Sequence, residues 1–148
     1  MKAPGISPGS IKTMSNLENP VTRLQVVFYQ RISVAECDWQ DRSDWSTVDA
    51  MLATLTEEFK GLKITLEQSA ESSEIAVRGY TDVLNSIRLR CSSGGFSNVC
   101  LGHVIGCSAN RDIAEDLKRG INRILFAPET IEPQGSDKVV CHNCGCGC

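Results

Sequence analysis

The sequence predicts an α+β domain of the ferredoxin-like βαββαβ type followed by one more helix, carried between two loose ends. Three observations lead there. Apolar residues alternate with polar ones in four short stretches, they recur at helical spacing in three others, and the two kinds are interleaved along residues 22–127 in the order β-α-β-β-α-β-α. Alternation, in place of unbroken apolar runs, implies a sheet with one face packed and the other wet.

Residues 1–21 are punctuated by Pro4, Gly5, Pro8, Gly9 and Pro20 with few apolar side chains between, the composition of a disordered arm. From Arg23 onward Leu24, Val26, Phe28, Ile32 and Val34 share one parity, while Arg23, Gln25, Arg31 and Ser33 share the other, which predicts a half-buried strand. After the loop CDWQDRSDW, Val48, Met51, Leu52, Leu55 and Phe59 fall at helical spacing behind Ser46, expected as the N-cap, with Lys60 and Gly61 as the stop. LKITLEQ (62–68) and EIAVRGY (74–80) alternate on either side of SAESS and predict a hairpin. Thr81 or Asp82 then starts a short helix through Val83, Leu84, Ile87 and Cys91, closed by SSGG. NVCLGHVIGC (98–107) predicts a strand, and Asn110 opens a helix that reaches Phe126 on a stripe of Ile113, Leu117, Ile121, Ile124 and Leu125. Residues 128–140 read as a linker by composition.

The charge balance narrows the function. With 15 basic against 18 acidic side chains and a net charge of −3, the chain lacks the polycationic surface that neutralises phosphates, so nucleic acid is not the expected partner. No apolar run approaches the roughly 20 residues a membrane-spanning helix needs, and the first residues lack the apolar stretch of a secretory signal. The expected compartment is the cytoplasm, where thiols stay reduced. Eight cysteines are then better read as core residues plus a ligand-bearing or modified tail than as a disulfide framework.

That tail is residues 141–148, CHNCGCGC, which places Cys141, Cys144, Cys146 and Cys148 in a C-x2-C-x-C-x-C spacing. Four thiolates on a short chain select soft metals, Zn(II) or Cu(I). Gly145 and Gly147 supply the positive φ values that tight wrapping demands, and His142 is a fifth donor. A structural zinc module separates its two ligand pairs by a dozen or more residues that fold around the ion, and this spacing does not. Over these eight residues the pattern resembles the CxC and CxxC clusters of metallothioneins and the thiol tails of metal-delivery proteins, a resemblance that implies binding or delivery of a soft metal ion.

Two other readings use the same residues. Gly-Cys pairs resemble the cores of azole-modified bacterial peptides, which would make the folded part a recognition leader and Cys141, Cys144, Cys146 and Cys148 the substrate of a partner enzyme. A terminal Cys-x-Cys resembles the prenylated end of Rab-type small GTPases, where two chains anchor a membrane. No GxxxxGK[ST] phosphate loop accompanies it here.

The folded part carries weaker signals. Cys37, Cys91, Cys100 and Cys107 are scattered over different elements, as small core hydrophobes are. Cys100, His103 and Cys107 stand close in sequence, but on a strand Cys100 would face away from the other two. GCSANRD presents backbone N–H groups at a helix start, as every helix does. CDWQDRSDW holds both tryptophans with Asp38, Asp41 and Asp44, and the expected state of Trp39 and Trp45 is tucked against the first helix. No Ser-centred elbow is present, and the chain is expected to be non-catalytic.

Overall fold

A computed structural model of the chain describes residues 22–106, 108 and 111–132. It is a mixed α+β architecture built on a four-stranded sheet in the order β2-β1-β3-β4. The strands are β1 (Thr22–Ser33), β2 (Ile64–Val77), β3 (Ile87–Cys91) and β4 (Phe96–Cys100). The helices are α1 (Trp45–Lys60), α2 (Tyr80–Asn85), α3 (Leu101–Ile105) and α4 (Ile113–Phe126). Strands β1 and β2 run parallel, joined by the α1 crossover, whereas β3 is antiparallel to both β1 and β4. The ferredoxin-like expectation is therefore corrected, because β1 and β2 are sheet neighbours and β3 and β4 follow each other as a hairpin.

Helix α1 forms because Val48, Leu52, Leu55 and Phe59 make one buried stripe, each side chain worth roughly 1.5–3 kcal/mol when fully buried. Its N-cap is Asp44, not Ser46. The Asp44 carboxylate accepts from the N–H groups of Ser46 and Thr47 at 3.1 and 3.2 Å and from their hydroxyls at 2.6 and 2.8 Å. The two hydroxyl bonds lead in holding its pKa at about 2.

The expected hairpin over residues 62–80 is a single edge strand. Strand β2 pairs with β1 along nearly its whole length, but between the pairs Phe28↔Ala70 and Gln30↔Glu74 β1 advances two residues while β2 advances four. Ile64 and Leu66 reach the core from even positions before this irregularity and Val77 from an odd position after it, so the two halves do not share one alternation. A break in alternation reads as a turn in sequence, yet SAESS contains none of the Gly, Pro, Asn or Asp residues a tight turn uses.

Two more boundaries differ from expectation. The helix predicted to run to Cys91 stops at Asn85, where the Ser86 hydroxyl donates to the Val83 carbonyl at 2.6 Å, and IRLRC continues as β3 with Ile87, Leu89 and Cys91 inward. The strand predicted over 98–107 ends at Cys100, whose sulfur accepts the His103 N–H at 3.4 Å and starts α3. Leu101, Val104 and Ile105 are buried at helical spacing there. Helix α4 begins at Ile113 behind the cap Asp112, three residues later than Asn110.

One face of the sheet carries the hydrophobic core. Leu24 and Val26 of β1, Leu66 of β2, Ile87 and Leu89 of β3 and Val99 of β4 meet α1 and α4, and Leu117, Ile121 and Ile124 are at most 1% exposed. Gly120 lets α3 approach α4, since a methyl group built there would overlap Leu101. Arg123 ties the chain beyond α4 to that pair: it donates to the Val104 carbonyl at 2.8 Å and to the Thr130 carbonyl at 2.7 Å, and Ile131 returns to the core.

The opposite face is polar. Arg90 makes a bidentate pair with Glu71 at 2.8 and 3.0 Å and donates to Asn98, which donates to the Tyr29 hydroxyl. Arg88 lies over the Tyr29 ring. Val27 and Cys100 are fully buried but stand outside the core cluster, beneath this layer.

Candidate functional site

Parallel strands deliver their following loops to the same end of a sheet, and a crevice outside those carboxyl ends is where open α/β sheets bind ligands. Here the loops after β1 (34–44) and β2 (78–79) meet at that end. Three hollows open among them, of about 540, 380 and 330 Å3, and Trp39 lines all three.

The largest hollow lies at the end of β1. Phe28 meets Trp45 edge-on, with ring centroids 6.3 Å apart, and the Arg31 guanidinium sits 3.8 Å from the centre of the Trp45 ring. Asp41 organises the group. It accepts from the Trp45 indole N–H at 3.2 Å and from the Ser43 N–H at 2.9 Å, and pairs loosely with Arg31 at 3.9 Å. Burial lowers the Arg31 pKa and Asp41 partly restores it. Cys37, half-buried on the same rim, places its sulfur 3.5 Å from the Arg78 carbonyl.

The two smaller hollows share Trp39, Tyr80 and Arg111. Tyr80 is fixed from below: its hydroxyl donates to Asp116 Oδ2 at 2.5 Å, and Asp116, only 4% exposed, is held through its other oxygen by Arg119 at 3.0 Å. Burial first, and then the bond to Asp116, raise the Tyr80 pKa far above that of an ordinary phenol, so the ring is a neutral wall at physiological pH. Arg111 holds φ at 55°, and its N–H is taken by the Ser108 hydroxyl at 2.8 Å.

The residues singled out in the sequence fall into separate places. Cys141, His142, Cys144, Cys146, Cys148 and Cys107 lie outside the described residues. Cys91 and Cys100 are buried at 1% and 0% exposure, in the state expected of small core side chains. His103 turns its ring to the Glu132 carbonyl at 2.9 Å, while its backbone N–H is what the Cys100 sulfur accepts, at 3.4 Å. Both tryptophans are partly buried against the core, Trp45 as the first residue of α1, and both also line the crevice. Tyr80, Arg31 and Arg111 were not legible as site residues. In sequence Tyr80 closes the alternating stretch EIAVRGY, and nothing around Arg111 signals a left-handed backbone.

Among the described residues no group of three or more His, Cys, Asp or Glu side chains stands close enough to hold a metal ion. None of the described helices is long and apolar enough to cross a membrane. Comparison with protein-family models, with curated proteins and with solved structures gives no match.

Proposed function

We propose that the chain is a non-catalytic carrier whose folded body serves for docking and whose terminal donors Cys141, Cys144, Cys146 and Cys148, with His142 auxiliary, bind and hand on a soft metal ion, Zn(II) or Cu(I). The observation that carries this reading is the thiol-dense spacing CHNCGCGC following a body that closes its own core at Ile131. Cys91 and Cys100 are committed to packing in that body, whereas the terminal four thiols stand within eight residues of one another, the donor density that soft ions select. Each thiol loses a proton on binding, so affinity rises with pH toward the thiol range.

The test is metal stoichiometry, measured for Zn(II) and Cu(I) on the full chain and on the variant with Ser at positions 141, 144, 146 and 148. Loss of binding in the variant supports the carrier; equal binding by both removes it.

A second reading has its own support. Each of Cys146 and Cys148 follows a Gly, which leaves the preceding carbonyl uncrowded for cyclisation, and the cytoplasmic precursor so described would use the crevice side of the domain to meet its modifying enzyme. Intact mass of the chain from its native host separates the readings: cyclised thiols appear as loss of water, prenyl chains as added hydrocarbon, and a carrier as the unmodified mass.

A further inference from the structure

We infer that the paired hollows between Trp39, Tyr80 and Arg111 are a binding site for a small aromatic or heteroaromatic carboxylate. The inference stands apart from the metal reading, because it is argued from the described residues alone.

The hollows measure about 380 and 330 Å3, within the range of roughly 300–1,000 Å3 typical of small-molecule sites. They share two flat rings, the indole of Trp39 and the phenol of Tyr80. The phenol is anchored through Asp116 and Arg119 before any ligand arrives, so a planar guest meets a preorganised wall.

Charge selects the sign of the guest. Arg42 and Arg111 line the hollows, and among the described residues neither makes an ion pair. The carboxylates nearby are mostly committed: Asp41 to Ser43, Trp45 and Arg31, and Asp112 to the Glu115 N–H as the cap of α4. Asp38 is the lining carboxylate without such a commitment, so the balance is two cations against one anion. The helix end itself is occupied by Asp112, which puts the anion at the Arg111 guanidinium, whose planar fork matches a carboxylate.

The backbone of Arg111 points the same way. Among the described residues two that are not glycine take positive φ, Lys63 at 60° and Arg111 at 55°. Lys63 belongs to the tight passage from α1 into β2, where its N–H bonds the Lys60 carbonyl and its carbonyl receives the Thr22 N–H. Arg111 closes on Ser108, whose hydroxyl accepts its N–H at 2.8 Å, and glycine would sit at that φ without strain. That position nevertheless carries a long cationic side chain, and it lines both hollows.

Ligand-observed NMR on the unmodified chain, with benzoate as probe, tests this, with tryptophan emission as the report from the site. Inorganic phosphate provides the anion without a ring, and benzamidine the ring with the opposite charge. Saturable benzoate binding at low millimolar concentration is expected, with phosphate roughly tenfold weaker and benzamidine not competing. Arg111→Gly should weaken benzoate roughly tenfold or more while leaving the thermal midpoint unchanged or higher, because glycine accepts the positive φ. Benzamidine binding as tightly as benzoate, phosphate binding as tightly as benzoate, an Arg111→Gly variant that binds normally, or no saturation by any of the three overturns the site.

Discussion

The two faces of the sheet are made from the same strands, residue by residue in alternation, and are held by different forces. On the helix side Val26 pairs with Leu89 and Phe28 with Ile87, and the register carries each apolar side chain into a closed layer. On the other side the neighbouring positions are Gln25 against Arg90 and Val27 against Arg88. There Arg90, Glu71, Asn98 and Tyr29 satisfy one another while remaining partly open to water. Burial on the first face is non-directional and large in sum; the second face contributes directional bonds whose net worth is small because water competes for them. The lesson is that stability resides on one face, while the other is free to vary in chemistry so long as Val27 and Cys100 stay covered.

The largest test of this contrast is Leu89→Ala. Leu89 is fully buried between Val26 and Val99, and truncation should cost about 3 kcal/mol, read as a lower midpoint in urea unfolding with the slope unchanged. Gly120→Ala should follow. Alanine favours the helix by about 1 kcal/mol, but the added methyl meets Leu101 in a layer that has no room, so a net loss of roughly 1–2 kcal/mol is expected. A variant more stable than the parent would show that the helix layer is looser than its burial implies.

Glu71→Gln probes the polar face and should have the smallest effect. The hydrogen bond from Arg90, more than its charge, holds the Glu71 pKa below the ordinary carboxylate value. A carboxylate depressed in the folded state stabilises above its unfolded pKa, near 4.5, and that contribution disappears as pH falls through the lower folded value. Wild type and Glu71→Gln should therefore differ modestly at pH 7 and converge as the solution is acidified through and below the ordinary carboxylate range. A difference at pH 7 as large as that of Leu89→Ala would break the contrast between the faces.

How far the sequence was legible follows from the same contrast. The alternation of β1 and the stripes of α1 and α4 were readable because each buries one face against a layer, and periodicity records that directly. The strand order was not readable. Whether LKITLEQ and EIAVRGY form two strands or one depends on β1 lying alongside both, a long-range pairing with no local mark. Residues 83–91 failed for another reason: Val83, Leu84, Ile87 and Cys91 fit helical spacing, yet Ile87, Leu89 and Cys91 also alternate, and the sheet decided between them. Of the crevice, the tryptophans were visible as composition. Tyr80, at the start of α2, and Arg111, just before α4, come together only through the fold.

The two additional residues that β2 carries between Ala70 and Glu74 have a consequence for how copies of this protein meet one another. A flat, fully pleated edge of fourteen residues would offer an unbroken template on which a second chain could polymerise. The pucker interrupts that template near its middle. The feature that obscured the fold in the sequence is thus a safeguard against fibre growth.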